Sequence, residues 1–162
     1  MKKIILSFIM CVCAFISNAQ VWKEISYQED ELLGYSGGTT IMYTDENGNT
    51  FECGLINNGK SFRCDISNNS RKQFNWSSVN GTSKLIKMTH GVVGLYDINN
   101  KLIKKWNENF VVPDNTAANV CRPFKWRKIM KYINENQGYV KVIISVYEDN
   151  DFRMTIPCIN NK

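Results

Sequence analysis

Several short stretches of the chain alternate apolar and polar residues, which is the pattern of half-buried β-strands. Residues 21–28 (VWKEISYQ) and 39–44 (TTIMYT) predict the first two strands. The segments KLIKMTH, VVGLYD and KLIKKW, between residues 84 and 106, predict a three-stranded meander whose last turn is Asn99-Asn100. Residues 67–83 are polar and rich in turn formers, so we expect a long loop or a ragged sheet edge there.

A hairpin with a definite register is predicted in CGLINNGKSFRC, residues 53–64. The turn centres on Asn58-Gly59, because both residue types accept positive φ. Strand alternation then places one apolar face on both strands, and the opposed pairs are Phe51 with Ile66, Cys53 with Cys64, and Leu55 with Phe62. A two-residue loop and a four-residue loop (57–60) are both compatible with this register; a disulfide between the two cysteines favours the longer one.

A second hairpin is predicted between residues 140 and 158, with Glu148-Asp149-Asn150 as its loop. This loop sets Val146 opposite Phe152, Ile144 opposite Met154, and Val140 opposite Cys158. The one helix is predicted within residues 113–138, with Pro123 in its first turn and Gly138 at its stop. Its apolar stripe consists of Trp126, Ile129, Met130 and Ile133.

These elements predict a mainly-β single domain, a sandwich or partly open barrel of about seven or eight mostly antiparallel strands with one late helix. The alternative is an α+β fold in which the helix packs on one curved antiparallel sheet.

The first 19 of the 162 residues have the composition of a cleaved secretory signal peptide. Lys2 and Lys3 precede an apolar run from Ile4 to Ile16, and small residues precede a cleavage point after Ala19. Residues 20–162 are then one exported domain, periplasmic, at the cell surface or secreted, with no transmembrane segment after cleavage. Loss of the two lysines lowers the formal charge from +5 to +3, which does not indicate a nucleic-acid partner.

Four cysteines remain after cleavage, and an even number in an exported chain predicts two disulfides. The hairpin register favours Cys53–Cys64, and Cys121–Cys158 would then tie the helix start to the last strand. A zinc site or a redox pair is disfavoured because the chain has no C-x-x-C. No metal or cofactor is expected.

Residues 34–38 (GYSGG) match G-x-S-x-G, but they precede a predicted strand and not a helix. Residues 54–61 (GLINNGKS) match the Walker pattern, but they lie within the predicted hairpin and not between a strand and a helix. H-E-x-x-H and GxGxxG are absent from the sequence. A Ser-His or Cys-His site would have to use His90, the one histidine. We therefore expect a non-enzymatic protein.

Candidate ligand contacts are aromatic residues on predicted loops, namely Tyr35, Phe74 and Trp76. The competing interpretation is that the last two fold back onto the core. Lys125 and Lys128 are further candidates, within a basic cluster that also contains Arg122, Arg127 and Lys131. This cluster suits an acidic partner, an anionic glycan or lipid headgroups, and the competing interpretation is a solvated helix face.

The sequence as a whole predicts an exported, disulfide-stapled binding module for a protein or glycan ligand. An inhibitor or immunity-type protein acting on an exported enzyme or toxin is the alternative, and a small hydrolase is a third interpretation.

Overall fold

A computed structural model describes residues 22–29, 31–32, 37–56, 59, 61–80, 85–113, 117–147 and 151–159. The predicted signal peptide and Tyr35 lie outside these residues. Ten antiparallel strands form one sheet, and one helix follows the eighth strand. The strands are β1 Lys23–Tyr27, β2 Gly38–Thr44, β3 Thr50–Ile56, β4 Ser61–Ser67, β5 Ser77–Asn80, β6 Leu85–Asp97, β7 Leu102–Val111, β8 Val120–Pro123, β9 Gly138–Ile144 and β10 Phe152–Pro157, and helix α1 is Trp126–Glu135.

The mainly-β fold with one late helix is confirmed, with ten strands in a single sheet instead of seven or eight. The spatial order is β1-β2-β3-β4-β8-β7-β6-β9-β10, with β5 paired to β6. The first two segments of the predicted meander form the single strand β6, which continues through His90-Gly91. The predicted polar loop contains the short strand β5.

One face of the sheet carries the hydrophobic core, because inward positions alternate with partly exposed ones along each strand. In β9 the buried positions are Val140, Val142 and Ile144, whereas the residues between them are only partly buried. Phe51 and Phe110 bring fully buried rings from the two halves of the sheet. The core therefore runs continuously beneath all the central strands.

The sheet divides at β8, because this strand contacts its neighbours through only two residue pairs on each side. Ile66 and Ser67 of β4 pair with β8, and Phe110 and Val111 of β7 pair with its other edge. Away from these pairs, β4 and β7 are not joined by strand pairing in the described chain. We call this division the fork.

Helix α1 bridges the fork by contacting the strands on both sides of it. Near its start, the ring of Trp126 stacks on Phe62 of β4, with centroids 4.2 Å apart. Near its end, the hydroxyl of Tyr132 donates to the main-chain oxygen of Tyr96 in β6, and Ile159 N donates to Ile133 O at 3.1 Å. The predicted helix starts later than expected, since Pro123 ends β8 instead of opening the helix. No helix among the described residues has the length and apolarity to cross a membrane.

The register of the first hairpin is confirmed. Phe51 lies opposite Ile66, Cys53 opposite Cys64, and Leu55 opposite Phe62. The last pair is Ile56 with Ser61, which leaves residues 57–60 as the connection and agrees with the four-residue alternative.

The predicted register of the second hairpin is wrong by two residues. Phe152 pairs with Ile144 and Met154 pairs with Val142. Val146, which was predicted to face Phe152, instead forms a bridge with Phe74 outside the hairpin. Because a shift of two keeps every side chain on its face, the predicted apolar face survives the error.

The structure contains neither predicted disulfide, since all four cysteines are buried free thiols. Cys53 and Cys64 are directly opposed but not bonded. Cys158 lies beyond the end of β10, with its Sγ 3.6 Å from Tyr132 O. Cys121 lies instead on β8, opposite Ile66.

Candidate functional site

Strand β7 places three chemically different side chains on one face by simple alternation: Lys104, Trp106 and Glu108. Glu108 is 1% exposed, so its carboxylate needs hydrogen-bond donors. Trp106 Nε1 donates to Oε2 at 2.5 Å, and the main-chain N of Lys125 donates to Oε1 at 3.2 Å. Glu108 thereby fixes the Trp106 ring and the residue that precedes helix α1.

Lys128 extends from the first turn of α1 over the Trp106 ring. Its Nζ lies 3.7 Å from the ring centroid, which is a close cation–π contact. Partial removal from water lowers the pKa of Lys128, and the positive charges of Lys104 and Lys125 lower this pKa further, while Glu108 opposes the shift. Lys128 therefore contacts the Trp106 ring, and Lys104 and Lys125 lie near enough for their charges to act on Lys128.

A second aromatic ring continues this surface toward β4. Trp126 stacks on Phe62 at an interplanar angle of 11°, and the guanidinium carbon of Arg127 lies 4.6 Å from the Trp126 centroid. The basic surface is hereafter the set of cations and rings on this side of the fork, namely Lys104, Trp106, Lys125, Trp126, Arg127 and Lys128.

The charge arrangement of the basic surface departs from the usual pattern of a helix start. Acidic residues are favoured in the first turn because the helix dipole is positive there. The first turn of α1 has no acidic residue, and it contains Arg127 and Lys128 after Lys125. Glu108 contributes one buried negative charge from β7. The positive end of the helix dipole and the mutual repulsion of the cations therefore both disfavour this arrangement of charge.

Two of the predicted contacts, Lys125 and Lys128, lie together in the basic surface. Arg122 does not join them, because Asp65 binds its guanidinium at 2.8 Å and 3.3 Å. This pair belongs to an ion ladder on the other face of the sheet, where Arg63 links Asp65 (3.5 Å) to Glu52 (3.3 Å). The ladder balances two acidic and two basic side chains.

Of the predicted aromatic contacts, the structure describes Phe74 and Trp76, and these two do not form an exposed pair. Phe74 has no exposed area, and its ring packs edge-on against Phe152 at 5.5 Å, so its candidacy as a contact was wrong. Trp76 is partly buried beneath Lys87, whose Nζ lies 4.4 Å from the ring centroid. Tyr35 falls outside the described residues.

Sequence reasoning missed Lys104, Trp106 and Glu108. The signal available was their i, i+2, i+4 spacing, which puts them on one face of a strand. Their position beside Lys125 and Lys128 depends on the way β8 connects β7 to the helix, and no local pattern encodes this.

The lone histidine lines a separate cleft of about 470 Å³ on the outer face of the sheet. The residues that line this cleft include His90 of β6 and Asn109 of β7. Ser145, which follows β9, and Asp151, which precedes β10, also line it. His90 Nδ1 and Asn109 Oδ1 are 2.8 Å apart. Within the described chain no side-chain hydrogen bond joins His90 to Ser145, so the bond that would activate a serine nucleophile is not formed.

Among the residues that the structure describes, no group of three or more His, Cys, Asp or Glu side chains is arranged to hold a metal ion. Asp45 instead accepts main-chain hydrogen bonds from Asn47 and Asn49, both at 2.9 Å, and so closes a turn.

No protein-family model, curated protein or solved structure matches the chain. The geometry of the basic surface is therefore the observation that bears on function.

Proposed function

We propose that this protein is an exported binding module that holds an anionic partner on its basic surface. The observation that supports the proposal is the contact of Lys128 with the Trp106 ring, close to the positive charges of Lys104 and Lys125. Export is inferred from the signal-peptide pattern of residues 1–19.

The proximity of these lysines favours an anion for an electrostatic reason. Like charges at short range repel, and partial removal of Lys128 from water strengthens that repulsion. A bound carboxylate, sulfate or phosphate group relieves the repulsion and gains charge-assisted hydrogen bonds. Glu108 offsets part of the repulsion in the free protein, yet its oxygens are already occupied by Trp106 and Lys125 donors.

The rings give the surface shape as well as charge. Trp106 is held by Glu108, and Trp126 is held by Phe62. Fixed aromatic rings support binding because little side-chain entropy is lost when a partner docks. The basic surface therefore suits recognition better than a solvated helix face with independent lysines would.

Charge reversal tests this function. The double variant Lys125→Glu with Lys128→Glu should weaken retention on immobilised poly-glutamate and on dextran sulfate by more than about tenfold. Wild-type retention should fall steeply between low and physiological salt. The matched control reverses Lys23 and Arg71, which are exposed and on other elements, and changes the net charge equally.

Equal loss in both double variants would mean that net charge alone drives retention, and the proposed site would be wrong. Failure of the wild-type protein to bind either polyanion would also refute it. Thermal melting of each variant separates loss of binding from loss of folding.

A further inference from the structure

Among the residues that the structure describes, the edge of β7 beside the basic surface has no strand partner over most of its length. Only Phe110 and Val111 pair with β8. On the same side, Phe124 N donates to Asn109 O at 2.9 Å, and the described residues form no further strand pairing with this edge between Lys104 and Glu108. The rest of the strand is a free edge of the sheet.

The direction of the main-chain groups along this edge follows from strand alternation. Val112 N donates to Lys87 O of β6, so even-numbered residues of β7 near this end point toward β6. Asn109 points the other way, as its bond from Phe124 shows. The register stays regular as far as Lys104 with Leu95, which places the N–H and C=O groups of Lys105 and Asn107 on the free edge.

We propose that the free edge of β7 takes up an extended acidic peptide segment by strand addition. The proposal rests on the proposed function and specifies its partner. An added strand would bond to the main-chain groups of Lys105 and Asn107 and lie alongside the basic surface.

Charge complementarity selects this occupant. Lys104 and Lys105 are exposed on the edge strand itself, and Lys125 and Lys128 lie beside it. Glutamate or aspartate side chains alternating along a partner strand would meet Lys104, Lys125 and Lys128 on one face of the sheet, whereas Lys105 lies on the opposite face. Ile103 is 56% exposed and Leu102 is 46% exposed, which provides apolar contact for the intervening residues of the partner.

The same lysines exclude a second copy of this chain as the occupant. Edge-to-edge pairing of two β7 strands would bring lysine rows together, and lysines on edge strands are a common protection against self-association. A polysaccharide can bind the cations, but it has no peptide N–H and C=O groups to form a strand ladder with Lys105 and Asn107. The edge thus distinguishes a peptide from a glycan.

The test replaces one edge-facing N–H. Lys105→Pro removes the donor without removing a bond to β6, and proline is tolerated where an edge N–H faces solvent. Lys105→Gln is the matched control, because it removes the charge and keeps the N–H. The probe is a capped peptide that alternates glutamate and valine, with binding followed by fluorescence anisotropy.

We expect Lys105→Pro to raise the dissociation constant about tenfold above that of Lys105→Gln, since one main-chain hydrogen bond is lost and its partner is left unpaired. The same peptide with N-methyl groups on alternate residues should bind the wild-type protein equally weakly. This second arm leaves the protein unchanged, so it does not depend on folding of the proline variant.

A dissociation constant that changes neither with Lys105→Pro nor with N-methylation of the peptide would overturn strand addition. If that binding still required Lys125 and Lys128, the proposed function would stand without it. Absence of binding to the peptide, with dextran sulfate still retained, would overturn the peptide partner and favour a glycan. Absence of binding to both probes would refute the proposed function itself.

Discussion

Replacing the buried Glu108 by glutamine separates the structural role of this carboxylate from the binding role of the lysines around it. Glutamine has nearly the same shape, but one of its two terminal atoms is a donor. Whichever way the amide lies, its NH₂ group must face either Trp106 Nε1 or Lys125 N, both of which donate to the native carboxylate. One hydrogen bond is lost and two donors are left opposed.

The magnitude follows from the charge and the burial of Glu108. A hydrogen bond to a charged group contributes roughly 1.5–3 kcal/mol, and an unsatisfied buried donor adds roughly 1–3 kcal/mol. We expect Glu108→Gln to lower the free energy of unfolding by about 2–4 kcal/mol, which corresponds to a melting temperature lower by roughly 5–12 °C in a domain of this size.

The assay is thermal and urea unfolding at two salt concentrations. Removal of the negative charge leaves Lys104, Lys125 and Lys128 without compensation, so added salt should recover part of the loss. Binding of poly-glutamate per folded molecule should strengthen. Glu135→Gln is the control, since it makes the same chemical change at an exposed position of α1. Equal stability of the two variants would refute the structural role of Glu108.

The core gives one further prediction and the thiols give two. Phe74→Ala should destabilise the fold by about 3–5 kcal/mol, because it empties a site with no exposed area; Trp76→Ala is the comparison, and a larger loss there would contradict the packing described. Burial raises the pKa of the Cys53 thiol to about 12 and raises the pKa of Cys64 and Cys121 well above the ordinary value. Thiol reagents should therefore react slowly with the native protein at pH 8. After denaturation, all four thiols should react without a reductant. Thiols that react only after reduction would show that the predicted bridges form. Stability should decline from about pH 9 upward, because the unfolded thiols ionise first; serine replacement of Cys53 should reduce that decline.

Local chemistry was sufficient to predict the first hairpin. Asn58-Gly59 and a single alternation of apolar residues agree on one register, and a shift by one residue would expose the apolar face. The second hairpin lacked such a turn signal. A shift by two residues there leaves the faces unchanged, and the bridge between Phe74 and Val146 involves distant parts of the chain that no local pattern connects.

The candidate site shows the same division between local and distant information. Lys125 and Lys128 were identified because they are neighbours in a basic run. Lys104 and Trp106 were not, because they join that run only through the position of β8. The same holds for the second predicted disulfide, because Cys121 lies opposite Ile66 on β8 while Cys158 contacts Tyr132 of α1, and no local pattern gives these positions.

The fork has a consequence for how strongly the two halves of the sheet are coupled. Strand pairing across β8 involves only four residue pairs, so the relative orientation of the two halves of the sheet depends on the shared core and on the side chains of α1 that contact both. Hydrogen-exchange protection should then fall first in β8 and its flanking pairs, while the two halves persist as separate cooperative units. A partner that binds β7 and α1 together would restrict the motion of the two halves of the sheet relative to each other. The stacked rings of Trp126 and Phe62 would extend that restriction to β4.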